Sequence, residues 1–316
     1  MKKILKFITM ILMCTIALVA CNKDSKTKQG FSTNKLTLTY VTSPLNVPSI
    51  LEKENKVFEK ALNGVEISYA DLTSGADQSQ ALASGDVQIL HAIGGSSVVA
   101  AAAGGADIKI LNMYSRAPEA FALFSKDKSL NSPSSLKGKT IACPFGTNLH
   151  ELLVSYLKSE NLTLKDVNFV NMSIPDAFAA VNSGSIDVAL LGGPAGYKAE
   201  KAGLHKITDG KGYIEAIICV ATTQKFYNEH KDIIDALIKA QKELRNFMND
   251  KPNDTKEIVK KVLKLDDAAY DAMYPQYDFN LDITDKDIQG LQKTADFMFE
   301  NGMIKNKVDA KTLFIR

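Results

Sequence analysis

The sequence predicts an α/β protein of two lobes, each a mostly parallel sheet flanked by helices. Three observations carry that expectation. Apolar, β-branched runs alternate with helical patterns along the chain, the rhythm of α/β layering. A long unit then recurs: ALASGDVQILHAIGGSSVVAAAAGGADIKI from Ala81 to Ile110, and AVNSGSIDVALLGGPAGYKAEKAGLHKI from Ala180 to Ile207. Finally, the copies are far enough apart for each to lie in its own lobe.

The elements follow in order. Lys2, Lys3 and Lys6 precede an apolar run from Ile8 to Ala20, and Leu18-Val19-Ala20-Cys21 closes on small residues and a cysteine. That pattern is a lipoprotein signal over 1–20, with Cys21 as the lipidated first residue. The run is shorter than the roughly 20 residues that a membrane span needs. Residues 21–34 are polar and read as a flexible tether. Folded sequence starts near Lys35, with a strand over Leu36–Val41, a helix over Ile50–Leu62, a strand over Val65–Ala70 and a helix from about Gln78. Each repeat then supplies a helix end, Ser-Gly, a strand, Gly-Gly, an Ala-rich helix, glycine and a second strand. The Ser-Gly pair suits a left-handed helix stop, and Gly-Gly suits a tight strand-to-helix turn. FALF at 121–124 reads as the outward crossing and IEAIICVA at 214–221 as the return, with KTIAC at 139–143 a further strand. The first lobe is therefore expected to be discontinuous, 35–120 with 219–316, and the second to be 121–218. From Asn228 onward the pattern is helical.

Of 38 Lys and Arg, three lie in the leader, so 35 face 36 Asp and Glu in the processed chain. A balance so near neutral leaves no basic field for nucleic acid. Beyond the leader and Cys21, Cys143 and Cys219 remain; they either pair or sit as two small buried side chains. His91, His150, His205 and His230 lack metal-ligand spacing. Ser96 and Ser97 lack a nucleophile elbow. Gly138-Lys139-Thr140 leads into a strand and so does not form a phosphate loop. No catalytic residue, metal or cofactor is expected.

In open α/β sheets, ligands sit outside the carboxyl ends of the strands, where helices begin. The turns there are rich in small and polar residues, which admit a ligand to the backbone and leave helix N–H groups free for an anion. They supply the candidate binding residues: Ser43, Leu45 and Asn46; Thr73 and Ser74; Gly94, Gly95 and Ser96; Phe145, Gly146, Thr147 and Asn148; Gly192 and Gly193. Arg116, at a predicted strand end, carries a planar fork suited to a carboxylate or sulfonate, or else is a hinge or surface arginine. Tyr114, Phe145 and Tyr197 could cover an apolar ligand body, and His150 stands in the first turn of a helix beside Asn148.

Several segments together resemble the substrate-binding proteins of ABC importers, in the branch serving aliphatic sulfonates, taurine, nitrate and thiamine pyrimidine precursors. They are Leu-Ala-Ser-Gly-Asp-Val at 82–87, Ala-Gly-Gly-Ala-Asp at 103–107, SLKGKTIA at 135–142, GTNLHELL at 146–153 and SGSIDV at 183–188. The resemblance runs from about Lys35 to Thr223. It implies a periplasmic-binding-protein fold of type II character, with two hinge crossings that close on ligand. It also implies that Thr147, Asn148 and the turns at Asn46, Ser74 and Gly95 face the ligand. Relatives carry a Trp-x-Pro-like stretch where this chain has Leu191-Gly192-Gly193-Pro194, and the chain has no tryptophan. The function so implied is capture of a small sulfonate-like anion by an extracytoplasmic, lipid-anchored monomer that serves an ABC permease. An uncharged heterocycle such as a thiamine pyrimidine precursor is the alternative cargo, and a sensor partner or an enzyme of the same fold are further alternatives.

Overall fold

Residues 30–315 are described by a computed structural model; the leader and Cys21 lie outside them. The chain opens with β1 (Lys35–Thr39), α1 (Val47–Asn55), α2 (Val57–Ala61), β2 (Glu66–Ala70) and α3 (Gly75–Ser84). The single helix expected over 50–62 is thus two. Lys56 takes a left-handed conformation between them (φ 52°). Buried Glu52 holds the break, accepting the Phe58 N–H at 3.4 Å and the Tyr69 hydroxyl at 2.7 Å.

The first repeat continues through β3 (Leu90–Gly94), α4 (Gly95–Ala103) and β4 (Lys109–Arg116). Next come β5 (Phe121–Ser125), β6 (Thr140–Cys143), α5 (Asn148–Lys158), β7 (Asn168–Asn171) and α6 (Ile174–Ser183). The second repeat supplies β8 (Val188–Gly192), α7 (Gly193–Lys201) and β9 (His205–Asp209). After β10 (Ile217–Thr222) the chain is helical: α8 (Gln224–Glu229), α9 (Lys231–Asp250), α10 (Pro252–Leu263), α11 (Asp267–Met273) and α12 (Asp285–Glu300). The glycines ending α3 and α6, Gly85 and Gly184, share a left-handed φ of 84°. The two copies therefore turn in the same way.

The sheets are mostly parallel, the two larger ones each with one strand running against the rest. One has the order β3-β10-β4, another β7-β6-β8-β5-β9, and β1 pairs with β2. β1 also runs beside β3 through a parallel bridge at Leu38 and Ile89. Only β10 and β5 break the parallel sense: β10 is antiparallel to β3 and β4, and β5 to β8 and β9. Each inserts between the two strands of one repeat after crossing from the neighbourhood of the other. A chain that crosses over enters from the carboxyl ends of its new neighbours, so it must run against them.

Two apolar cores follow from this topology. One joins Leu90, Ile93, Val98, Met113 and Cys219 to Leu291 of α12; the other joins Phe124, Ala142, Val181, Ala189 and Leu191. Cys143 and Cys219 are separate buried thiols, which decides between the two readings of their role. At the amino end, the expected tether is already held at Ser32, whose backbone N–H donates to Asp232 at 2.7 Å and whose hydroxyl meets His230 Nδ1 at 2.8 Å.

α5 and α12 meet through Glu151, a residue only 4% exposed that accepts the Thr294 hydroxyl at 2.8 Å. Burial raises its carboxyl to about 7, opposed by that hydrogen bond and helped by nearby Glu215. A carboxyl lifted above its unfolded value of 4.5 adds stability that is complete below that value and lost as pH climbs through about 7. Glu52, raised to about 7 chiefly by burial, acts in the same sense. Denaturant unfolding should show stability declining from about pH 5 to about pH 8. Glu151→Gln keeps an acceptor for Thr294 and should flatten that decline by on the order of 1–3 kcal/mol. An unaltered profile in the variant would mean that Glu151 stays charged when folded.

Candidate functional site

The carboxyl ends of β1, β2, β3, β6 and β7 open onto one cleft that encloses about 90 Å3. Five helices begin at or beside it. Asn46 precedes α1, Gly75 opens α3, Gly94 precedes α4, Thr147 and Asn148 start α5, and Ile174 starts α6. No side-chain cap occupies the starts of α1, α4 or α5. At α4 and α5 the first N–H groups, which helix geometry leaves without intrahelical partners, keep a partial positive charge at the cleft. At α1 the Val47 N–H goes to the Leu45 carbonyl, Pro48 has none, and the Ser49 N–H goes to the Tyr114 hydroxyl.

Local hydrogen bonds fix these turns. The Asn46 amide donates to the carbonyls of Val41 and Ser43 at 2.9 and 3.1 Å, curling the chain over the cleft. Ser74 caps α3, taking the Asp77 N–H at 3.1 Å. Ser97 donates to the Gly146 carbonyl at 2.7 Å, and Ser96 to Asn148 Oδ1 at 3.1 Å. The start of α4 is thereby fastened to the start of α5. Gly75 is required by this packing, because a Cβ there would stand 1.9 Å from the Ser97 hydroxyl. At the end of β3, Ala92 lines the cleft with a φ of 83° and has no partner in the β3–β10 register, where Ile93 faces Cys219 and His91 faces Val220. It is the extra residue of a bulge, the device that re-aims a strand beside a site.

None of the lining residues is charged; the wall is made of hydroxyls, amides, backbone and apolar side chains such as Leu149, Ile174 and Ile218. Of the residues named from sequence, Ser43, Asn46, Thr73, Gly94, Thr147 and Asn148 line it. Gly146 and Ser96 stand one bond behind, through Ser97 and Asn148. Ser74 is spent on its cap. Leu45 is wholly buried, and Gly95 packs on Leu291 and Ile217. Gly193 lies under the turn after β1, where a Cβ would stand 1.9 Å from the Pro44 carbonyl oxygen, and neighbouring Gly192 faces Pro44, Ala120 and Phe121.

Five more of the residues named from sequence lie off the cleft wall. Arg116 is occupied by protein: its guanidinium is bidentate to Asp287 and also donates to the carbonyls of Asn280 and Asp282 at 2.9 and 2.8 Å. It ties the end of β4 to the segment leading into α12. Tyr114 is core, its hydroxyl on Ser49 at 2.9 Å and its ring edge-on to His91. Tyr197 faces a separate hollow with Glu200 and Met273. Phe145 is 58% exposed and lies over His150, ring centroids 4.7 Å apart, away from the cleft wall. His150 itself is buried beneath it, and burial pushes the imidazole down to about 4, so it is neutral near pH 7.

Sequence reasoning missed Gln78, Ala92, Phe121, Leu149, Ile174 and Ile218 as wall residues. Gln78 stands one turn into a helix that starts at a strand end, but nothing in the sequence shows that it is buried. The apolar ones carried no signal, because a wall residue and a core residue look alike in sequence. A wider open depression of about 590 Å3 lies elsewhere, lined by Gly85, Gln88, Asp107 and Phe226. The helix starting there, α8, has its first N–H groups already taken by Asp107 at 2.9 and 3.1 Å. At the smaller cleft the starts of α4 and α5 remain uncapped.

Known proteins resemble this chain in sequence and in fold. The sequence pattern of the family described as NMT1/THI5 like matches residues 47–255. The chain is 31% identical to the taurine-binding periplasmic protein of Escherichia coli (strain K12) over 209 residues, 65% of this chain and 63% of that protein, so over a third of that relative is unmatched. It is 27% identical to an aliphatic sulfonates-binding protein of Bacillus subtilis (strain 168) over 278 residues, 84% and 81% of the two chains. Among solved structures, the alkanesulfonate-binding protein SsuA from Xanthomonas axonopodis pv. citri, bound to MOPS, superposes with a TM-score of 0.81 at 19% identity, covering 90% of this chain and 99% of that one. The fold is that of the periplasmic binding proteins.

The pairing of Arg116 generates a test. Arg116→Ala leaves Asp287, only 3% exposed, without its cation. Denaturant melts should show a loss of about 2–4 kcal/mol. A loss below about 0.5 kcal/mol would mean that the pair contributes no more than a solvated one.

Proposed function

Because the chain belongs to the NMT1/THI5-like family, we propose that it is the solute-binding component of an ABC importer and captures a small, sulfonate-like organic anion without altering it. One observation carries this reading: the uncapped starts of α4 and α5 meet, beside those of α3 and α6, at a cleft whose wall holds no charged side chain. Backbone N–H groups at helix N-termini hold an anion by direct hydrogen bonds and by the helix dipole. A sulfonate, with three acceptor oxygens and no proton to lose near neutrality, suits several such donors at once. The apolar lining from Leu149, Ile174, Ile218 and Phe121 suits a short carbon skeleton. A volume of about 90 Å3 matches roughly six to nine non-hydrogen atoms.

Capture works by closure. Residues 35–120 with 219–316 form one lobe and 121–218 the other, and the crossings at 117–120 and 210–216 are the hinges. The bonds from Ser96 and Ser97 to Asn148 and Gly146 are contacts that closure makes and opening breaks. The wall offers hydroxyls, amides and N–H groups and no titratable side chain, a set that binds and does not move protons. Neither Tyr114 nor Tyr197 lines the cleft, so an uncharged heterocycle would have only Phe121 to lie against. Cys21 carries the lipid that holds the protein to the outer side of the cell membrane as a monomer, and an ABC permease receives the cargo.

Ligand released by denaturing the purified protein should be an organic anion by mass spectrometry. The refolded protein should bind short alkanesulfonates in calorimetry with micromolar or tighter affinity. Recovery of a neutral ligand, together with no heat from any sulfonate, would sink the anion reading.

A further inference from the structure

Within the cleft wall one polar atom has no partner. Gln78 is 3% exposed and lines the cleft, and its Oε1 is buried and accepts no hydrogen bond, alone among the lining side chains described. The orientation of its amide is fixed by chemistry. The other end of the amide faces the Leu72 carbonyl at 2.9 Å, and a carbonyl can only accept, so that end must be the NH2 group and the free end the oxygen. A buried acceptor left bare is costly, and buried polar groups are nearly always paired.

We infer that Gln78 is a specificity-determining residue whose Oε1 accepts a hydrogen bond from a neutral donor, a hydroxyl or amide N–H, on the organic part of the anionic ligand. This rests on the anion reading above and narrows it. Cargo is the donor this inference assigns: Ser97 is spent on the Gly146 carbonyl, Thr147 on that of Pro144 and the Asn46 amide on Val41 and Ser43, and the unengaged hydroxyls of Ser43 and Thr73 do not reach Oε1. The donor must also be uncharged. No carboxylate lines the cleft, so an ammonium placed against Gln78 would be buried without a counter-charge of its own. A plain alkyl end would leave Oε1 as bare as it is without ligand. Hydroxyl-bearing or amide-bearing sulfonates are therefore preferred over unsubstituted and over amino sulfonates.

Three near-isosteric probes separate these cases: hydroxyethanesulfonate, propanesulfonate and aminoethanesulfonate (taurine), which differ only in a terminal hydroxyl, methyl or ammonium. Calorimetry on the ligand-stripped wild-type protein should show the hydroxyl compound binding about ten- to a hundred-fold tighter than the methyl compound, and tighter than taurine. Gln78→Met should bring the hydroxyl-to-methyl ratio to about one, and Gln78→Glu should turn the preference toward taurine by supplying a carboxylate. Equal wild-type affinities for the hydroxyl and methyl compounds, or a ratio that survives in Gln78→Met, would overturn the role of Gln78. So would wild-type protein that binds taurine most tightly. The wild-type comparison stands even if a variant fails to fold. Absence of binding by all three probes is a different result: it removes the sulfonate reading itself, and this inference falls with it.

Discussion

The reciprocal insertion of β10 and β5 is the constraint on which the rest of the structure depends. Each strand leaves the neighbourhood of one repeat and enters the sheet of the other, where it runs antiparallel between two strands that are parallel to one another. Each sheet is thereby closed by a strand from the far side of the crossing, so neither is complete without it. The geometry also leaves the parallel strands free to point their carboxyl ends at a common cleft. Helices beginning at those ends bring their N–H groups with them, so the site is a by-product of the topology.

Helix N–H groups at a cleft without charged side chains have a physical consequence. Backbone N–H groups contribute partial charges held rigidly by hydrogen-bonded helices, and need no side-chain ordering when ligand arrives. Rigidity at this place comes from glycine and serine. Gly75 allows Ser97 to approach, and Ser97 in turn binds the Gly146 carbonyl, so loss of one small residue would push apart two helix starts at once. The bulge at Ala92 adds a residue with a left-handed φ in the same wall, a conformation that side chains other than glycine rarely take.

The helical C-terminal third is bound into this frame through polar contacts at its ends. Arg116 gathers Asp287 and the carbonyls of Asn280 and Asp282, which fixes the start of α12 against the first crossing. Further along, Thr294 of the same helix meets Glu151 of α5, and Lys158 reaches Glu300 at 3.2 Å. α12 therefore spans from the crossing to the helix that starts at the cleft. The buried Glu151 carboxyl makes the inner contact of this helix sensitive to protonation.

The repeat, the strand-to-helix glycines and the polar turns were legible in the sequence because each is a local requirement. A left-handed helix stop at Gly85 or Gly184 demands glycine wherever the chain goes next. Hydrophobic periodicity likewise marked the strands and the helical tail. What local pattern does not encode is which strand pairs with which: the apolar runs of β5 and β10 read as ordinary buried strands, and their antiparallel sense emerges only when the crossings are in place. The same limit applied at the site. By type, Arg116 suited an anion, but the approach of Asp287, 171 residues away in the chain, committed it to structure. Gln78 looked like any helix glutamine until tertiary packing enclosed it and left its oxygen alone. Sequence determines the chemistry each residue can offer; the fold decides which offers are already taken, because partners distant in the chain meet only in three dimensions.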